Sequence, residues 1–309
     1  MTWFKKLMIY RITGAADFDV SVLQAAMATK PARKLADQEM KHFGFATPLP
    51  AVDGVESEIL AHPVAGAVLI SAVCNFRQIP GEAINDELKS RIAVIEREQE
   101  RKVRGKERDQ LKDLVIQHLL PRVLPKQKRT TALILPGHNL ILVNTVKAAD
   151  AEDLLSTLRE VLGTLPVRPL TTEHSPSAVM TGWLKDKATT PENFYTLGDA
   201  VLTGDESGKV QFSDMDMAGE EVQMHLDAGM KVSNLAMAWG DKFSFRINDK
   251  LAIDKIKFED LIMQDARKNA GEEASQMFDA SIAIMVGTFA TFITEMTNSF
   301  GGEPQHQSI

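Results

Sequence analysis

Apolar and polar positions along the chain follow two different periods, and the switches between them mark its elements. Trp3 to Ile12 alternates, Leu7 and Ile9 against Met8 and Tyr10, which predicts a strand. Asp17 to Met27 puts Phe18, Val22, Leu23 and Ala26 on one face behind a capping Asp17, which predicts a helix. Phe43 to Val55, with Pro48, Pro50 and Gly54, reads as loop. Glu56 to Ala61 and Ala67 to Asn75 predict paired strands across His62–Gly66, the second so continuously apolar that it belongs in the middle of a sheet. A helix then starts near Pro80 with the stripe Ile84, Leu88, Ile92 and Ile95.

There the stripe stops. Between Glu96 and Gln110 only Val103 is a sizeable apolar residue, and a helix with no face to bury gains little from packing, so this stretch is expected to project into solvent. Gly105 is the expected terminator of the first helix, in the left-handed conformation. A second helix is expected from about Lys106, regaining apolar character at Leu111, Leu114, Val115, His118 and Leu119 and ending before Pro121.

Further on, a basic loop at Pro125–Arg129 precedes a hairpin of Thr130 to Leu135, a turn at Pro136–Asn139, and Leu140 to Val146. Ala148 to Leu162 predicts a helix closed by Gly163. The remainder predicts a helix at Ser177–Asp186, strands at Asn193–Leu202 and Lys209–Phe212, and a helix at Gly219–Ala228. Strands follow at Lys231–Trp239, Lys242–Ile247 and Ile253–Phe258, then a helix over Asp260–Asn269. Ala280 to Val286 reads as a buried strand and Thr288 to Ser299 as a helix capped by Thr288. The class is α+β: mixed or antiparallel sheets with flanking helices and a protruding basic two-helix hairpin. Residues 1–79 and 130–170 form a central α+β region, 80–129 the hairpin and basic loop, 171–300 a C-terminal α+β region, and 301–309 a disordered tail.

Composition changes this picture little. The chain of 309 residues is 44% hydrophobic and 25% charged, ordinary for a globular protein, and its one cysteine, Cys74, excludes a disulfide scaffold. No unbroken apolar run of membrane-spanning length is present and no signal peptide is evident, so a cytoplasmic protein without a membrane partner is expected. Charge changes it more. The net charge is −7, yet residues 199–309 alone carry 19 acids against 9 bases. By contrast, Arg97 to Arg129 holds 11 bases against 5 acids. Phosphate binding follows local field rather than net charge, so the acidic total does not exclude nucleic acid.

Catalytic motifs are missing. Gly204 to Lys209 resembles a phosphate loop but has only three residues between its glycines and Val210 after the lysine, so it reads as a hairpin turn. There is no dinucleotide fingerprint, no metal-ligand spacing among the seven histidines, and no nucleophile elbow. No cofactor, metal site or catalytic residue is expected.

The candidate site is therefore the basic segment: Arg97, Arg101, Lys102, Arg104, Lys106, Arg108, Lys112, Arg122, Leu124, Lys126, Lys128 and Arg129. In one continuous helix, Arg97, Arg101, Arg104, Arg108 and Lys112 would draw a single stripe; broken at Gly105, they form two basic flanks. Glu100–Arg104 and Glu107–Lys112 contacts would be in reach. The plain alternative is a solvated helix laced with ion pairs. Arg122 to Arg129 tips the balance, since it contains no acid. Without an aromatic platform or a helix-turn-helix signature, contact is expected to be with phosphates rather than bases. Leu124 is either an anchor into the core or a tip contact with DNA or a second subunit.

Several strings carry a family resemblance. They are Trp3-Phe4-Lys5-Lys6-Leu7-Met8-Ile9-Tyr10-Arg11, Leu111-Lys112-Asp113 with Leu119-Leu120-Pro121-Arg122, and Gly163-Thr164-Leu165-Pro166-Val167. Ala151-Glu152-Asp153 with Leu158-Arg159, Leu235-Ala236-Met237-Ala238-Trp239, Phe278-Asp279-Ala280 and Gly301-Gly302-Glu303 add to them. With these the chain resembles the bacterial recombination-associated RdgC family, nearly colinearly to Glu303. The resemblance implies a non-enzymatic, ring-shaped homodimer in the cytoplasm, associated with the nucleoid. Such a ring encircles duplex DNA, binds double- and single-stranded DNA without sequence preference, and restrains RecA-dependent recombination by competing for DNA. The family's basic-loop tip can carry an aromatic where this chain has Leu124, and some members are lysine-rich where it reads Phe212 to Met217. The competing reading is an acidic protein-interaction module of the recombination machinery with incidental DNA contact.

Overall fold

The computed structural model describes residues 3–51, 54–204, 208–269 and 274–304. Its first part runs β1 (Met8–Ile12), α1 (Val20–Ala28), β2 (Lys41–Ala46), β3 (Ala61–Val64), β4 (Ala67–Phe76), α2 (Gly81–Gln99) and α3 (Lys106–Leu119). Then come β5 (Lys126–Leu135), β6 (Leu140–Val143), α4 (Ala148–Leu162) and β7 (Val167–Pro169). The second part runs α5 (Pro176–Lys185), β8 (Phe194–Thr203), β9 (Lys209–Phe212), α6 (Glu220–Asp227) and β10 (Lys231–Trp239). It closes with β11 (Phe243–Asn248), β12 (Ile253–Phe258), α7 (Asp260–Asn269) and α8 (Ala274–Ser299).

The strands form two antiparallel sheets. The first has seven strands in the order β2-β4-β5-β6-β1-β7, with β3 also on β4; the second has five, in the order β12-β11-β10-β8-β9. β4 is central, as its apolar run predicts: β3 pairs with its first four residues, β2 with its last six, and β5 lies along the other side. Alternation then splits the first sheet's side chains between two cores. Tyr10, Ile12, Ile70, Ala72, Ala132, Ile134, Ile141 and Val143 face α1 and α4, where Leu23, Met27, Leu154 and Leu158 meet them. Ile9, Leu69, Leu133, Leu135, Leu140 and Leu142 face the other way, into a larger cluster shared with the second sheet and α8.

That larger core is centred on aromatic rings. Phe292 of α8 packs edge-on against Phe243, Phe245 and Trp239 of the second sheet, and Phe289 against Phe243. Phe4 reaches the same helix through Phe289. Just after it the chain joins the second sheet: Leu7 and Ile253 exchange backbone hydrogen bonds at 2.8 and 2.9 Å, and the Ile256 N–H donates to the Lys5 carbonyl at 3.1 Å. The next residue, Met8, begins β1 of the first sheet, so one continuous segment stitches the two sheets together.

Several expectations need correction. The strand predicted at Ala280–Val286 and the helix predicted from Thr288 are one helix, α8; an apolar run buried on several sides has no polar face to reveal its period. α8 is long and apolar enough by length and composition to cross a membrane, but here half of that stretch is buried against the two sheets. The loop predicted from Phe43 begins as β2, which carries a close backbone crossing: a Cβ on Gly44 would lie 2.5 Å from the Pro31 carbonyl oxygen. The strand predicted at Glu56–Ala61 is displaced to β3, and the cap of α1 is Asp19, not Asp17. Asp19 accepts from the Ser21 and Val22 amides at 2.8 and 3.4 Å. Of the tail expected to be disordered, Gly301 to Pro304 pack on the body, with Glu303 accepting hydrogen bonds from Arg11 and Arg168, and 305–309 lie outside the described residues. The central residues of the turn expected within Gly204–Lys209 lie outside the described residues; the strands flanking it pair as a hairpin.

Phe292→Ala removes a ring fully enclosed between α8 and the second sheet, and is expected to destabilise the fold by about 3–5 kcal/mol. Urea unfolding followed by tryptophan fluorescence, which reports Trp239 beside that ring, measures it; a loss under about 1 kcal/mol would contradict the packing described.

Candidate nucleic-acid interface

The basic segment folds as two helices, not one. α2 ends at Gln99, where Glu100 takes a left-handed conformation (φ 48°), and α3 begins at Lys106. Gly105 is therefore not the terminator of the first helix. It precedes the second, at φ 52° and ψ −128°, a backbone state that side chains with a Cβ rarely adopt. The single-stripe arrangement is excluded, and the two flanks are not formed as expected either: Arg97 lies in the last turn of α2, Arg101, Lys102 and Arg104 in the connection, and Lys106, Arg108 and Lys112 on α3. Leu88, Val103, Val115 and Leu120 are buried but belong to neither main cluster, so the hairpin has a small core of its own.

The bend between the helices is held by carboxylates. Glu96 accepts from Lys102 Nζ at 2.7 Å and from the Val103 N–H at 3.1 Å. Glu107 takes both terminal nitrogens of Arg101, at 2.5 and 2.6 Å. These pairs replace the Glu100–Arg104 and Glu107–Lys112 contacts expected on a continuous helix. The Lys102 hydrogen bond, then that from Val103, holds the Glu96 carboxyl below its ordinary value, and the Arg101 hydrogen bonds do the same for Glu107. Both pairs sit at the surface, where solvent screens such bridges and they yield readily to a competing anion.

The remaining bases divide sharply. Arg97, Arg104, Lys106, Arg108, Lys112 and Arg122 are exposed and make no ion pair or side-chain hydrogen bond among the described residues. Lys126 reaches only the Gln78 side-chain oxygen, at 3.1 Å. Lys128 and Arg129, by contrast, are engaged by the fold. Lys128 pairs with Asp150 at the start of α4, and Arg129 donates to the Thr47 carbonyl at 2.5 Å and to Ser71 Oγ at 3.1 Å. The basic loop expected at Pro125–Arg129 is strand in all but Pro125, since Lys126 to Arg129 open β5 in register with Phe76 to Val73.

Leu124 is 85% exposed, which removes the reading that anchors it in the core. The turn that presents it is fixed from beneath by Arg77, a residue the sequence pattern did not single out. The Arg77 guanidinium is buried and donates only to carbonyls: Val123 at 3.2 Å, Ala36 at 2.6 Å, Asp37 at 3.3 Å and Glu39 at 2.9 Å. No local signal could have marked it, because its partners lie some 40 residues away on either side. The structure also places Lys41, Phe43 and Phe76 beside Lys126 and Lys128 on one sheet face, a grouping spread over three distant segments of sequence.

Fold and surface together define an α+β protein of two antiparallel sheets and several helices, with a run of exposed bases between Arg97 and Arg122. No cluster of three or more His, Cys, Asp or Glu side chains able to hold a metal ion occurs among the described residues. The chain belongs to the RdgC family: the family model described as "Putative exonuclease, RdgC" matches residues 2–303. It is 45% identical over 309 residues to the recombination-associated protein RdgC of Pseudomonas syringae pv. syringae (strain B728a). The proteins of that name from Pseudomonas putida (strain GB-1) and Pseudomonas aeruginosa (strain LESB58) are 43% and 42% identical. Each alignment covers 99% of this chain and 100% of the relative.

Because the Glu96 and Glu107 carboxyls are held below the ordinary 4.5, their contribution to the bend is complete above that pH and fades as acid titrates them in the folded state. Amide hydrogen exchange at Val103 is the measurement. Protection is expected to be retained at neutral pH, to be lost on acidification through the depressed Glu96 titration, and to be lost at neutral pH in Glu96→Ala.

Proposed function

We propose that this chain is a non-enzymatic, sequence-independent DNA-binding protein that, as a ring-shaped homodimer around duplex DNA, restrains RecA-dependent recombination by competing for DNA. The observation that carries the reading is the set of six exposed bases that make no ion pair or side-chain hydrogen bond among the described residues, Arg97, Arg104, Lys106, Arg108, Lys112 and Arg122, on and just after the hairpin. Unneutralised guanidinium and ammonium groups in solvent gain most from a polyanion, since each phosphate they meet releases condensed counterions. In the proposal the hairpin projects from the body, and Leu124 makes its tip contact with DNA or the second subunit. A closed ring suits modest individual contacts, because topology slows escape where each contact alone would not. The relatives' name, recombination-associated protein, supports the biological setting. DNA as substrate of an exonuclease, the alternative in the family description, would leave shortened strands.

Arg104→Glu with Arg108→Glu is expected to weaken duplex binding equally for unrelated sequences. It should also lower the slope of log affinity against log salt by about 0.9 for each phosphate that is no longer neutralised. Anisotropy titrations at several salt concentrations measure this, and unchanged affinity and slope would contradict the proposal. These positions are preferred to Lys128 and Arg129, whose replacement would also disturb the Asp150 pair and the Thr47 carbonyl.

Light scattering is expected to report a dimer, retained after a salt challenge on closed circular duplex and shed from linear duplex. Strand exchange by RecA is expected to slow when the protein is added to DNA first. Incubation of end-labelled DNA with Mg2+ or Mn2+ is expected to leave its length unchanged; progressive shortening would replace this proposal with the exonuclease.

A further inference from the structure

At one corner of the first sheet, β2, β4 and β5 meet in a register that sets two rows of side chains on the same face. Phe43 lies opposite Cys74, and Cys74 opposite Lys128; Lys41 lies opposite Phe76, and Phe76 opposite Lys126. Residues directly opposite share a face, and the two rows are two residues apart, so all six point to one side. Further along that face Ala72 and Ala132 are covered by α4, but at this corner only the helix's first turns arrive, bringing Asp150 and Asp153. They rim a cleft of about 280 Å³ whose floor is Phe43, Cys74 and Phe76. Both rings are half-buried, leaving part of each accessible.

The polar groups of the cleft are arranged in donor–acceptor pairs. Lys41 Nζ meets Asp153 at 2.7 Å, Lys128 meets Asp150, and Lys126, in register beside Phe76, has no carboxylate partner. An aromatic floor, carboxylates that accept from amino groups, ammonium groups that donate to carbonyl or ring nitrogen, and, beside the cleft, a lysine without a carboxylate partner for phosphate together match an unpaired nucleobase on its strand. A base stacked within a duplex cannot offer its ring face to such a cleft.

We propose that this cleft binds an unpaired base of single-stranded DNA, stacked on Phe76 and Phe43 with a flanking phosphate on Lys126. This rests on the DNA-binding reading above and adds to it a second contact surface, at the root of the hairpin and selective for single strands.

The test compares three probes by anisotropy: a single-stranded oligonucleotide, the same strand with abasic sites, and a duplex. Phe76→Leu, which keeps an apolar side chain, is expected to weaken the normal strand roughly tenfold and to leave the abasic strand and the duplex unchanged. Equal weakening on normal and abasic strands, or none on either, overturns the cleft. Arg104→Glu with Arg108→Glu should instead weaken the duplex, so failure of the general DNA-binding reading appears separately. Competition by a free deoxynucleoside monophosphate as effective as that of the strand would overturn the strand as occupant. In the unaltered protein, ultraviolet cross-linking of a bromouracil-containing strand is expected to mark the peptides holding Phe43 or Phe76; cross-links confined to the hairpin would overturn the proposal.

Discussion

The structure depends on α8 filling the space between two sheets that would otherwise each leave an apolar face in water. Phe289, Phe292, Met285, Ile293 and Met296 are all buried, and the rings meet Phe243, Phe245 and Trp239 from the second sheet and Phe4 from the N-terminus. An antiparallel sheet accepts solvent on one face at most when its other face is apolar, so each sheet needs such a cover. The N-terminal segment reinforces the arrangement by pairing with β12 and then continuing as β1. Removing either the helix or that segment would expose both sheets at once.

This shared core leaves the hairpin energetically separate. Its few buried side chains, Leu88, Val103, Val115 and Leu120, lie outside both main clusters, and its bend is held by surface pairs of Glu96 and Glu107. Elements with little buried apolar area sit at the low-stability end of a fold, which suits a segment whose value lies in its surface charge. The same economy of contacts keeps Arg104, Lys106 and Arg108 without carboxylate partners, whereas Lys128 and Arg129, rooted in β5, have been recruited into the body. Acids concentrate after residue 199, far along the chain from this cluster. The two halves of the sequence thus differ in field more than in architecture.

Arg77 illustrates how a charged group can be structural. Buried beneath the Leu124 turn, it is satisfied by carbonyls from both sides and needs no anion. Arg129, although exposed, also donates within the fold, to the Thr47 carbonyl and to Ser71 Oγ. A count of basic residues therefore overstates the charge available to a ligand, and burial and partner chemistry decide which members of the cluster count.

Periodicity determined the α+β class and most element positions, because half-buried strands and amphipathic helices write their period into the chain, and the loss of that period together with Gly105 pointed to a two-helix basic segment. The charge imbalance between Arg97 and Arg129 was equally plain. What it could not determine was α8, since a run buried on several sides has no polar positions from which to read 3.6 against 2, nor β2, whose glycine and histidine mask its alternation. Only the tertiary structure decided that the helices break at Glu100, that Leu124 stands in solvent, and which bases are neutralised. The last two outcomes turn on partners 20 to 80 residues distant, such as Asp150 for Lys128 and Thr47 for Arg129, and on registers that bring Phe43, Phe76 and Lys126 onto one face. Pairing across such separations depends on how the sheet closes, which no local pattern encodes.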